Sequence, residues 1–366
     1  MKRDIRTALL LLLLLLAARS TSAEPIQVET LVVEEMDRQQ LVGVAIGLIQ
    51  DEKVIYLRGF GYADREEAIP VDTDTMFRWA SISKTLTAIT ALQLREKGKL
   101  DLDVDIRHLV PGFPGQKHNG NEVVITPRQL LCHQGGIVHY TNGPVIPAER
   151  EYWREHPFRN VRLAVDNFSQ SPLVNGPREK FSYTTRGYIL LSAAIQQAGG
   201  QRFSVQVHQR IAHRCGMTSL QPDYQWKKIS NRAVGYKRVD DKIVRSTDTD
   251  VSWKLGGGGF ISNIRDLARY GVGLLEGNLV SADTEKLMWT AQSTADGTPT
   301  SYGLGFQVTS KDDRTLIGHG GAQEKTRTVI TLDPERGTGV VVMSNSEFAN
   351  PKSFVDILLP LLSSSE

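Results

Sequence analysis

Apolar residues alternate with polar or small ones over Val42–Ile49 and again over Val54–Tyr62, and the polar run Gln50-Asp51-Glu52-Lys53 separates the two segments. Alternation of this kind predicts two strands joined as a β-hairpin. Just upstream, Ile26–Gln39 reads as a helix. From Ser81 to Lys97 the apolar residues Leu86, Ile89 and Leu92, with the small residues Ala88 and Ala91, recur at helical spacing, and Gly98 supplies a stop. That composition predicts a largely buried helix. Between Asp101 and about Ser230 the pattern is mostly helical, broken by Pro and Gly turns and without a run of strands.

Strands return in the last third, over Tyr302–Val308, Thr315–Gly318, Thr326–Leu332 and Gly339–Ser344, with short turns such as Asp333-Pro334-Glu335-Arg336-Gly337 between them. They predict a meander. A closing helix over Pro351–Leu362 is expected to pack beside the N-terminal one. The order helix, hairpin, helical segment, meander, helix predicts an α+β fold with one antiparallel sheet flanked by helices and an inserted helical lobe at about 101–230. With 366 residues, 40% of them hydrophobic, the chain can bury a sizeable core. No internal repeat or low-complexity linker divides it, so residues 24–366 are expected to form one catalytic domain with two lobes.

Residues 1–23 differ in kind. Lys2, Arg3 and Arg6 precede an apolar run from Ala8 to Ala18, and Thr21-Ser22-Ala23 ends in small residues, the pattern of a cleaved secretory leader. The run falls short of the roughly 20 apolar residues a membrane-spanning helix needs. Export to a periplasm or the medium is therefore expected, without stable membrane insertion after cleavage. The formal net charge is +2. Lys2, Arg3, Arg6 and Arg19 against Asp4 give the leader +3, which leaves −1 for the remainder. A near-neutral protein has no electrostatic reason to bind nucleic acid, and a small molecule or peptide is the expected partner. Cys132 and Cys215, the two cysteines, both sit among apolar residues and are expected to be buried free thiols. The histidines show no HExxH spacing and no CxxC accompanies them, so neither a metal nor another cofactor is expected.

Three local patterns carry chemistry. Phe77-Arg78-Trp79-Ala80-Ser81-Ile82-Ser83-Lys84-Thr85 contains S-x-x-K at the start of the buried helix, a spacing of almost one turn that turns Ser81 and Lys84 the same way. A desolvated lysine can take the proton of a serine hydroxyl, and N–H groups at a helix start can stabilise an oxyanion. By itself the pattern equally fits a helix-capping serine and a surface lysine. The second is Phe181-Ser182-Tyr183-Thr184-Thr185-Arg186-Gly187-Tyr188, a polar turn before the apolar run Ile189–Ala198. The third is Leu316-Ile317-Gly318-His319-Gly320-Gly321, where glycines after a histidine at a strand end let a substrate lie against the backbone. Taken singly, a packed tyrosine and an ordinary turn explain the last two.

In this order the three patterns resemble the active site of the serine β-lactamase and penicillin-binding protein superfamily, in its class C-like branch of esterases and D-amino-acid peptidases. Similar stretches include Gly59-Phe60-Gly61-Tyr62-Ala63-Asp64, Ile125–His133, Cys215-Gly216-Met217-Thr218, Gly257–Ser262 and Tyr302-Gly303-Leu304-Gly305-Phe306. The Ser-Ile-Ser-Lys stretch and the glycines after Lys254 are also similar to mitochondrial β-lactamase-like serine proteases of animals. The resemblance implies a β-lactamase/DD-peptidase-like fold and an acyl-enzyme on Ser81. Lys84 and Tyr183 would share the base and acid roles, His319 would replace the third-motif lysine of β-lactamases, and the N–H groups of Ser81 and Ala322 would form the oxyanion hole.

It departs in one place: the second motif is usually Tyr-x-Asn, and Thr185 lacks the amide, although its hydroxyl can supply part of the role. Thr185 and His319 together imply hydrolysis of a peptide or ester bond in a substrate other than a penicillin. A cationic Lys84 beside Tyr183 is expected to lower the phenol's pKa. A true β-lactamase and a non-catalytic binding or assembly protein are the alternatives.

Overall fold

The computed structural model describes residues 25–149, 157–311 and 313–362. The leader expected at residues 1–23 lies outside the described residues, and among those described no helix is long and apolar enough to cross a membrane.

The frame is a seven-stranded antiparallel sheet. The hairpin supplies β1 (Gly43–Gln50) and β2 (Lys53–Asp64), with the two-residue β3 (Ile69–Pro70) on its edge; the C-terminal third supplies β4 (Gln307–Lys311), β5 (Arg314–Gln323), β6 (Thr326–Asp333) and β7 (Thr338–Ser344). Their spatial order is β4-β5-β6-β7-β1-β2-β3, so β1 meets β7 at the centre and joins the chain's two ends. Every residue of β1 is buried. Its period-2 pattern serves two cores at once: Ala45 and Ile49 face a large helical body, whereas Val44, Ile46 and Leu48 face helices α1 (Pro25–Gln39) and α6 (Pro351–Leu358). These terminal helices lie side by side as expected, with Gln39 Nε2 donating to Ser353 Oγ at 2.8 Å.

On the other face, α2 (Ser83–Glu96) runs through the middle of the protein, and its residues Ser83–Leu94 are all buried. The threonine hydroxyls are tolerated there because each finds a backbone acceptor: Thr85 bonds Ile82 O (2.8 Å), Thr87 bonds Gly256 O (2.6 Å) and Thr90 bonds Leu86 O (2.7 Å). Lys97 caps the helix and Gly98 follows with φ +64°, the left-handed stop that glycine tolerates. Helix α3 (Thr185–Gly199), the short α4 (Leu255–Gly258) and α5 (Ile264–Leu275) complete this layer.

Three expectations need correction. The segment Tyr302–Phe306 is a turn, not part of a strand: Gly305 takes φ +93° where a Cβ would lie 2.2 Å from Ala88 Cβ, so the chain bends against α2 before β4 begins at Gln307. Strand β5 continues well past Gly318, because its ladder to β6 pairs Gly320 with Val329 and Gly321 with Thr328; His319 therefore lies inside a strand. Among its described residues the inserted segment has one long helix, α3, and also holds the hairpin Gln116–His118/Asn121–Val123 and a two-residue strand, Gln221–Pro222, which pairs with Phe260–Ser262. Both cysteines are free, but Cys215 is only partly buried. Burial pushes their thiols up, to about 11 for Cys132 and about 12 for Cys215, which keeps both unreactive.

Candidate active site

The site begins with a strained turn. Phe77–Arg78 pairs with Phe260–Ser262, and the chain then enters a 3₁₀ turn, Ala80–Ile82, that leads directly into α2. Ala80 has φ +46°, a conformation that costs a non-glycine residue of order 1–3 kcal/mol and survives only where its surroundings over-determine it. They do so here. Trp79 is fully buried and donates from Nε1 to Ser262 Oγ (2.6 Å), while Thr326 and Thr328 of β6 donate to the carbonyls of Arg78 and Trp79, each at 3.1 Å. The result is a half-buried Ser81 held at the head of α2, facing a cleft of about 1010 Å³.

One turn on, Lys84 is wholly buried. Its Nζ lies 3.0 Å from Ser81 Oγ, 3.3 Å from Thr185 Oγ1 and 2.7 Å from the carbonyl of Gly257. No carboxylate is among these partners. Burial, reinforced by the charge of Lys254, drives the Lys84 pKa well below the ordinary lysine value, so the neutral amine that can accept a proton is favoured. Glycines make this contact possible. A Cβ at Gly257 would come within 2.5 Å of Thr185 Cγ2, and one at Gly256 within 2.6 Å of Ser192 Cβ, so the glycine run packs on α3 and aims its carbonyl at Lys84. It forms a wall of the active site, with Gly257 and Gly258 on the cleft.

Thr184 caps α3, its Oγ1 accepting from the N–H groups of Arg186 and Gly187 (3.1 and 3.3 Å), and this cap places Tyr183 and Thr185 on either side of the helix start. The Thr185 hydroxyl reaches the lysine, the contact the missing asparagine would otherwise make. Tyr183 differs from expectation. Its pKa is raised, because burial outweighs a hydrogen bond with Ser81. Lys84 Nζ sits over the ring, 4.7 Å from its centroid, and does not offset the burial. Tyr183 is a phenol poised to donate.

Strand β5 forms the far wall. His319 is buried, and both ring nitrogens are engaged: Nδ1–H donates to Gly320 O at 2.6 Å, which leaves Nε2 to accept from Tyr302 Oη at 2.9 Å. Burial depresses its pKa to about 3, so the ring stays neutral. Its ring centroid lies 6.3 Å from that of Tyr183. A neutral histidine so engaged supports the strand and is not the charged group the third-motif lysine would be.

The two glycines after it differ. A Cβ at Gly320 would meet nothing within 4 Å, whereas one at Gly321 would lie 2.2 Å from Thr328 Oγ1 and 2.5 Å from the Trp79 carbonyl. Gly321 thus lets β5 close on the nucleophile turn, and the exposed Ala322 follows on the cleft side. We expect Gly321→Ala to lower stability by about 1–3 kcal/mol and Gly320→Ala to leave the fold intact, as read from urea unfolding midpoints.

Sequence reasoning missed several neighbours. His133 is buried against the rings of Tyr183, Tyr188 and Tyr302 at centroid distances of 4.3, 5.0 and 4.8 Å, and its Nδ1 accepts from Thr184 N at 3.2 Å. His139 Nδ1 accepts from Thr185 N at 3.2 Å. Tyr140, His139 and Lys254 line the cleft beside Thr185. His133 and Tyr302 ended or began family-like stretches and Lys254 preceded one, which was the available signal; His139 and Tyr140 gave none.

An antiparallel sheet with a helical layer, and an S-x-x-K serine at its junction with them, define the serine β-lactamase and penicillin-binding protein class. The chain belongs to the β-lactamase family, whose model, described as Beta-lactamase, matches residues 28–362. It is 30% identical over 294 residues to the human serine beta-lactamase-like protein LACTB, mitochondrial, covering 64% of this chain and 53% of that protein, and 28% identical over 263 residues to the putative penicillin-binding protein PbpX of Bacillus subtilis, covering 71% and 61%. The chain thus spans only about half the length of the mitochondrial relative.

Among solved structures it is similar to the octameric penicillin-binding protein homologue from Pyrococcus abyssi, with a TM-score of 0.75 at 24% identity over 92% of this chain and 78% of that one. A D-stereospecific amidohydrolase from Streptomyces has a TM-score of 0.74 at 22% identity over 90% and 97%; EstCE1, a hydrolase with promiscuous acyltransferase activity, has 0.74 at 20% over 87% and 92%. At these identities the structures establish the fold.

Proposed function

We propose that the protein hydrolyses a peptide or ester bond through an acyl-enzyme on Ser81. The observation that carries this reading is the 3.0 Å contact between Ser81 Oγ and a fully buried Lys84 whose pKa is driven down. Ser81 Oγ attacks the acyl carbon while Lys84 Nζ takes its proton. Negative charge develops on the acyl oxygen between the N–H groups of Ser81 and Ala322. As the intermediate collapses, the bond to the leaving group breaks and Tyr183 Oη–H protonates the departing nitrogen or oxygen; the Lys84 ammonium restores the phenol. Water then attacks the acyl carbon and gives a proton to Lys84 Nζ, the ester bond to Ser81 Oγ breaks, and Lys84 passes that proton to Ser81 Oγ, which restores both groups. The raised Tyr183 pKa supports the acid role in this cycle, and the Thr185 hydroxyl steadies Lys84.

The neutral His319, tied to Tyr302 and Gly320, supports substrates other than penicillins. The test is covalent. Incubated with a fluorophosphonate, the parent protein is expected to gain one adduct by intact mass and the Ser81→Ala variant none. Labelling of neither would sink the mechanism and favour a binding protein; labelling of both would place the reactive group elsewhere.

A further inference from the structure

Lys254 is a second buried lysine on the cleft, and the proposed catalytic cycle does not use its ammonium. It ends the short 3₁₀ turn Ser252–Lys254 ahead of the glycine run, is only 8% exposed and lines the cleft beside Ser81, Tyr140 and Thr185. Its surroundings are aromatic and cationic. Nζ lies 5.8 Å from the ring centroids of both Tyr140 and Trp253. Arg186, also 8% exposed, packs against the same two rings, 5.1 and 5.8 Å from their centroids, with Nε and Nη1 buried and without a hydrogen-bond partner among the described residues. Among the described residues, the nearest anion is Glu324 Oε2, at 3.8 Å, beyond hydrogen-bond distance, on a side chain that is 48% exposed.

A buried ammonium ordinarily has a paired anion, since desolvating it alone is expensive. Here Lys254 and Arg186 share the rings of Tyr140 and Trp253, and among the described residues the carboxylate beside Lys254 is the loosely held, half-exposed Glu324. The aromatic rings of Tyr140 and Trp253 flank both cations and shield them from water on that side, so their field is directed into the cleft. Glu324, free to swing into solvent, is an exchangeable counter-ion.

We infer that Lys254 is a specificity-determining residue that binds a carboxylate on the substrate. The inference rests on the hydrolytic reading of the same cleft and adds the substrate class: esters or peptides that carry a free carboxylate beside the scissile acyl group. On binding, the substrate carboxylate displaces Glu324 from Lys254 and supplies the close ion pair this lysine lacks.

The test uses two matched pairs of esters: 4-nitrophenyl hemiglutarate against its methyl ester, with the carboxylate on the acyl side, and acetyl esters of 3-hydroxybenzoate and of methyl 3-hydroxybenzoate, with it on the leaving side. In at least one pair, the parent is expected to favour the carboxylate member in kcat/KM, chiefly through KM. Lys254→Met is expected to cut that preference at least tenfold, and Lys254→Arg to restore part of it. Taking the ratio within a pair removes any effect of Lys254 on Lys84. The same four esters are titrated calorimetrically into Ser81→Ala and Ser81→Ala/Lys254→Met, which do not depend on turnover. Tighter binding of a carboxylate ester to the first variant, lost in the second, supports the subsite even if the parent hydrolyses nothing, in which case only the hydrolytic reading fails. Hydrolysis with a preference unaltered by Lys254→Met, or equal binding within both pairs, overturns the subsite.

Discussion

Replacing Lys84 with Met is expected to lower kcat/KM on any turned-over ester by about 10³-fold, within the range general-base contributions span. The methionine fills similar volume in a fully buried position, so the loss should appear without a comparable loss of stability. Two further readouts separate a proton acceptor from a packing element. Lys84→Arg should fail as badly, because a guanidinium keeps its charge and cannot take the Ser81 proton. In the parent, kcat/KM should rise with pH as the ammonium of Lys84 is lost, and burial places that rise well below the ordinary lysine range. The sign follows from the active form: the neutral amine is the base, so acid inactivates. Lys84→Met should show no such limb. A methionine variant with the parent's rate and pH profile would remove Lys84 from the chemistry.

The second large effect lies behind the nucleophile. Arg78, the last residue of the strand that leads to Ser81, donates from Nε to Asp223 Oδ2 at 2.6 Å, and both side chains are almost wholly buried, at 3% and 0% exposure. Its other nitrogens reach Thr249 Oγ1 (3.0 Å), Thr249 O (2.8 Å) and Glu324 O (3.3 Å), while Arg232 bonds the second carboxylate oxygen of Asp223. Asp223→Ala leaves the Arg78 guanidinium buried without its anion. The expected cost is about 3–5 kcal/mol, visible as a lowered urea midpoint. Activity should fall with it, since Arg78 ties the nucleophile turn to the β5–β6 turn through Glu324 O. Asp223→Asn, which keeps an acceptor, should lose less. An unchanged midpoint in Asp223→Ala would show that this buried pair does not hold the turn.

Much of this was readable in one dimension, for reasons particular residues make clear. The hairpin was legible because Val44, Ile46 and Leu48 alternate with Ala45 and Ile49 at the period of a strand. Ser81 and Lys84 were legible because their spacing is local, and Tyr183 and Thr185 because a capped helix starts at once after Thr184. Strand β5 was misjudged because glycines after His319 weaken a strand pattern, yet the ladder to β6 keeps them extended. The Tyr183 titration was misjudged because adjacency to a lysine says nothing about where the ammonium sits. Over the ring face it cannot offset burial.

By itself the sequence determined the α+β class, the family resemblance and the Ser-x-x-Lys pair, because hydrophobic period, helical turn and motif spacing are properties of neighbours along the chain. The tertiary structure decided what those groups can do. Gly257 and Thr185 reach Lys84 from positions 173 and 101 residues away, burial keeps His319 neutral, and Lys254 joins the cleft only when the glycine run packs on α3. Burial and distance set the charge state of each of these side chains, and both arise from contacts between segments far apart in the chain.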